Sequence, residues 1–89
     1  MSNKNTLVAG RGYEGKKFIL VNAQDHTAIL HGQKLPFEVN GRMSQVTVEG
    51  GAPPHKSNSS GRIYIKPKGG DLLQYFPSVL QTKWLEVRA

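Results

Sequence analysis

Cysteine is absent from the 89 residues. That excludes disulfide staples and thiolate metal sites, so a small core must hold the fold unaided. Acid is scarce too: six Asp and Glu stand against twelve Lys and Arg, a formal charge of +6 at neutral pH. The six are scattered singly, without the paired carboxylates of a glycosidase-type site. No apolar run approaches the ~20 residues that cross a bilayer as a helix. The opening MSNKNTLVAG lacks the apolar core of a secretory signal. These absences predict a soluble, cytoplasmic chain of one domain with no membrane partner. Its basic balance favours acidic partners, nucleic acid foremost.

What the chain does have is a period of two. KKFILVN (16–22) has the β-branched and aromatic composition of a largely buried strand. TAILH (27–31) follows across turn residues, so the two runs are expected to form a hairpin. In QKLPFEVN (33–40), Pro36 lacks a ladder donor, which predicts an edge strand or a bend. Asn40-Gly41 is a hairpin-turn signal. QVTV (45–48), RIYIK (62–66) and WLEVR (84–88) alternate as well. Helix signals are confined to 71–83, where Asp71 is an N-cap for DLLQYF, Pro77 limits that helix to barely one turn, and Ser78 caps a second. Short strands at close spacing among ten glycines predict a mainly β fold. The expected architecture is a small antiparallel barrel or twisted sheet of five or six strands, with one short helical turn near the C-terminus. Residues 1–5 are expected as a disordered tail, and 6–89 as one β domain with a long flexible loop at 50–61.

Gly10, Gly12 and Gly15 satisfy G-x-G-x-x-G. A dinucleotide site needs a helix after these glycines to hold the pyrophosphate, whereas strand-like KKFILVN follows here. GRGYEG is therefore a turn, whose Arg11, Tyr13, Lys16 and Lys17 line a surface suited to phosphate through charge and backbone amides. His26, His31 and His55 match no zinc spacing, and the serines of KSNSS suit a solvated loop. No metal, cofactor or catalytic residue is expected. An enzyme would require the histidines to converge with Asp25 or serines.

The hairpin around the loop GGAPPHKSNSSGR is the most informative stretch. With Glu49 placed opposite Arg62, Thr47 faces Tyr64 and Gln45 faces Lys66, while Val46, Val48, Ile63 and Ile65 share the other side. One face is then dry and the other carries Arg62, Tyr64 and Lys66, with Lys68 extending the row. A ring between cations suits a stacked base between phosphates, and His55 and Lys56 add charge from the loop. The plainer account is an ordinary cross-strand pair and lysines that guard an edge. The expectation is a small non-catalytic nucleic-acid-binding protein, single strands favoured. The alternative is a protein–protein module that meets an acidic protein surface, with Trp84 or Tyr64 as anchor and the loop ordering on binding. Trp84 itself is expected to fold under and close one end of the domain.

Overall fold

The KFILVN run becomes the central strand of a sheet, as its composition demands: Phe18, Leu20 and Val21 are buried. The computed structural model describes residues 6–87; the expected tail at 1–5, and Arg88 and Ala89, lie outside the described residues. Among the described residues seven strands follow in chain order: β1 Ala9–Arg11, β2 Lys17–Asn22, β3 Lys34–Val39, β4 Arg42–Ala52, β5 Arg62–Pro67, β6 Leu73–Tyr75 and β7 Thr82–Glu86. They form two antiparallel sheets, ordered β1-β2-β7 and β3-β4-β5-β6. The mainly β expectation holds. The single five- or six-stranded sheet gives way to two sheets, and among the described residues no closed barrel forms.

Local chemistry accounts for the turns. Asn40 and Gly41 both adopt positive φ, 51° and 79°, so β3 and β4 join through a two-residue connection that pairs Val39 with Arg42. Such a turn matches the right-handed twist of its strands. Pro36 lies in β3, at the edge of its sheet, where its missing donor costs no ladder bond on the inner side.

Two elements differ from expectation. Residues 27–31 form no continuous strand, but they do turn back antiparallel on β2 as expected, through the Val21–Ala28 bridge and the bonds from the Asn22 amide to Thr27 and from the Ile29 amide to Leu20; a second bridge joins Leu7 and Leu30. The preceding turn is fastened by side chains, with Asn22 Oδ1 accepting from the Gln24 amide at 2.8 Å and Asp25 Oδ1 from the Thr27 amide at 2.9 Å. It brings Ile29 back onto β2, its amide donating to the Leu20 carbonyl at 2.9 Å, with the side chain buried in the core. Residues 73–75 are strand, not helix. Gly69, at φ 73°, turns the chain back, and Leu73 and Tyr75 pair with Ile65 and Ile63. The one-turn helix lies just beyond, a 3-10 turn over Pro77–Leu80 with Phe76 rather than Ser78 at its cap.

Leu20 of one sheet and Leu35, Val46, Val48, Ile63 and Ile65 of the other meet in a single core cluster, joined by Val8, Ile29 and Leu80. Phe37, Tyr75 and Trp84 pack around it, half-buried. Leu20→Ala should cost about 2–5 kcal/mol, since its cavity is closed in on all sides. Leu72→Ala, at an exposed position, should change stability by less than about 0.5 kcal/mol. Urea denaturation of both variants measures the contrast, and equal losses would contradict this core.

Candidate functional site

The β4–β5 hairpin carries the expected wet face through a different register. β4 continues through Gly50, Gly51 and Ala52, which meet Tyr64, Ile63 and Arg62. Arg62 is thus opposite Ala52 rather than Glu49, and Lys66 is opposite Thr47 rather than Gln45. A shift between Val48 and Gly50 leaves Glu49 unpaired; Gly50, at φ 141°, supplies backbone geometry that side-chain-bearing residues rarely adopt. The faces themselves survive. Val46, Val48, Ile63 and Ile65 are buried, Arg62 and Tyr64 half-buried, and Lys66 exposed.

Pairing on either side enlarges this face. Lys66 stands beside Thr47, and Thr47 beside Lys34 of β3, a row across three strands. Lys34, Gln45, Thr47, Glu49, Lys66 and Lys68 contribute to one hollow of about 490 Å³. On the other side Tyr64 pairs with Gln74 of β6, and the Arg62 guanidinium lies 4.2 Å from the centre of the Phe76 ring. Phe76 remains 52% exposed. Lys34 and Phe76 are functional candidates that the sequence reading missed. The alternation of buried Leu35 and half-buried Phe37 carried the signal for Lys34; Phe76 was hidden by the helical reading of 71–76.

Arg62 is also a fastening. Its Nη1 donates to Asn58 Oδ1 at 2.7 Å and to the Gly61 carbonyl at 2.9 Å. The Trp84 indole donates to the Arg62 carbonyl at 3.2 Å. Trp84 pairs with Leu20 on β2, so it points inward and is half-buried against the core. With β4 reaching Ala52, the connection shortens to 53–61 and is folded on itself. His55 and Asn58 exchange backbone hydrogen bonds, and buried Pro54 accepts from the Tyr13 amide.

The remaining candidates form a second group. Arg11 donates to the Gly15 carbonyl at 3.0 Å. Lys16 Nζ lies 3.3 Å from the Glu14 carboxylate and 5.0 Å from the Tyr13 ring centre; its hydrogen bond to Glu14 raises its pKa. Tyr13 leans on Phe18, their ring centres 5.6 Å apart, and Lys17 is exposed opposite Arg11. His55 and Lys56 share a hollow with Tyr13 and Glu14, and neither lines the hollow of Lys66 and Lys68. The glycine motif opens a 3-10 turn over Tyr13–Gly15 and then β2. Its packing is structural: a Cβ on Gly12 would clash with the Pro54 carbonyl oxygen.

Among the described residues no three His, Asp or Glu side chains are grouped to hold a metal ion, and no helix is long and apolar enough to cross a membrane. Comparison with family models, with curated proteins and with solved structures finds no match for the chain.

Asp25 is engaged locally, its carboxylate accepting from both the hydroxyl and the amide of Thr27. Those bonds, the hydroxyl's foremost, lower its pKa. A carboxyl whose folded pKa is depressed adds stability above its unfolded value and loses it as pH falls through the folded one. Thr27→Val should therefore move the Asp25 titration, followed by NMR, upward toward the ordinary carboxylate value. An unmoved titration would show that the hydroxyl does not set it.

Proposed function

We propose that the protein is a non-catalytic binder of single-stranded nucleic acid, and that the strand lies across the outer face of the β3–β6 sheet. One observation carries the reading: Lys34, Lys66 and Lys68 share a hollow on a face that also holds Tyr64 and the exposed Phe76. Lysines there neutralise phosphates, and the two rings receive bases, each stacked base contributing roughly 1–3 kcal/mol. A duplex keeps its base faces stacked inside, so a site built on rings selects unpaired strands. Arg62 acts mainly by holding Phe76 in place, because its guanidinium is already bonded to Asn58 and Gly61.

The second reading, a module for an acidic protein surface, is supported by a separate observation. Leu72, Phe76 and Val79 are each about half exposed along one short segment. In that reading Phe76 replaces Trp84 as the anchor, since Trp84 packs on the core.

Fluorescence anisotropy with labelled single-stranded RNA, single-stranded DNA and duplex DNA separates the two. Single strands should bind more tightly than duplex, with a log–log salt slope of about −2 for three lysine contacts. Phe76→Ala should weaken binding by about 5- to 100-fold, whereas Tyr64→Phe, which keeps a ring, should not. Lys34→Ala and Lys66→Ala should each flatten the slope by about 0.7. Absence of binding at low salt, or Phe76→Ala with unchanged affinity, would overturn the proposal.

A further inference from the structure

The two sheets have four edges, and three carry the features that prevent strand addition. β3 holds Pro36 between Lys34 and Glu38, β7 holds Lys83 and Glu86, and β1 ends on Arg11. Charge and proline on an edge keep another strand from docking there. β6 has neither: Leu73, Gln74 and Tyr75 carry no charge and no proline. Among the described residues, their backbone makes no hydrogen bond outside the ladder with β5. The flanking residues are apolar and open to solvent, Leu72 at 58% and Phe76 at 52%.

We infer that β6 is the edge at which a second copy of this chain adds, antiparallel, about a twofold axis through Gln74. The choice of a second copy rests on the segment's own pattern. Leu72-Leu73-Gln74-Tyr75-Phe76 reads apolar, apolar, polar, apolar, apolar in either direction. An isologous contact needs a surface that complements itself. Antiparallel pairing centred on Gln74 sets Leu72 against Phe76 of the second copy, Leu73 against its Tyr75, and one Gln74 amide against the other. No Lys or Arg lies between Lys68 and Lys83. A chain of +6 can thus approach its copy at this edge without directly opposed cations. The joined sheets are eight strands wide, and the faces bearing Tyr64 and Lys66 become continuous across the axis.

Sedimentation velocity of the full chain over a concentration series tests this, at salt from about 0.05 to about 0.5 M. Dimer should accumulate with concentration and strengthen as salt screens the like charges, the opposite sign from strand binding. Gln74→Lys sets two lysines face to face and should lower the association constant by about twofold to fivefold; Leu72→Lys, which meets the Arg62 that covers Phe76 of the second copy, should do the same. Both positions are exposed, and circular dichroism checks that each variant is folded. A wild-type chain that stays monomeric throughout, or a dimer indifferent to both variants, would overturn the inference. Gln74→Lys that still binds single strands while monomeric would separate this contact from the binding reading, which stands or falls on its own titration.

Discussion

The indole of Trp84 is the contact on which the arrangement of the two sheets depends. It rises from β7 in one sheet and lies against the backbone where β4 leaves and β5 begins in the other. A Cβ on Gly51 would lie 2.8 Å from its Cζ2, and one on Gly61 2.6 Å from its Cδ1. Only glycine lets the ring come so close, and Gly61, at φ 71°, also needs glycine's backbone freedom. The indole N–H then donates to Arg62, whose guanidinium binds the loop and covers Phe76. Core, loop and outer face are therefore linked through one aromatic side chain.

That linkage explains the length of the polar connection. The chain must pass around Trp84, place Pro54 against the 12–15 turn, and return to β5 in register. A segment on such a path cannot lie in a sheet, so its backbone groups pair with one another in tight turns, and Asn, Ser, Gly and Pro are the residues that allow this. Its cations are a lesser part of it: Lys56 and His55 sit with Tyr13 and Glu14, while Arg62 is held inside the junction. The cations left in the hollow of the large sheet are Lys34, Lys66 and Lys68, with Glu49 the one acid lining it and Glu38 exposed farther along β3.

How much of this was legible follows from what sequence periodicity encodes. Alternation in QVTV and RIYIK identified the buried and wet faces, because a two-residue error in register preserves facing. The bulge at Glu49 was invisible: Gly50, Gly51 and Ala52 have too little side chain to show which way a strand points. Asn40-Gly41 and Pro36 were legible because each restricts its own backbone. β6 was not, because a three-residue strand offers too short a pattern to separate period two from one turn of helix. Lys34 and Phe76 joined the site through strand pairing, a long-range property that no local spacing records. The 27–31 segment does return along β2, but it makes no regular strand, since the Ile29 carbonyl is taken by the Val8 amide instead.

Exposure then becomes informative in a chain this small. A domain with so short a sequence has a modest core, and apolar side chains left outside it do little for folding. Leu72 and Phe76 could have been polar without loss to the cluster around Leu20 and Ile63, which neither of them joins. Positions where a sequence departs from what folding alone requires are where another constraint has acted. Here those positions flank β6, the edge that among the described residues carries neither charge nor proline, and border the face on which Lys66 and Tyr64 alternate; what keeps Leu72 and Phe76 apolar is therefore not the core.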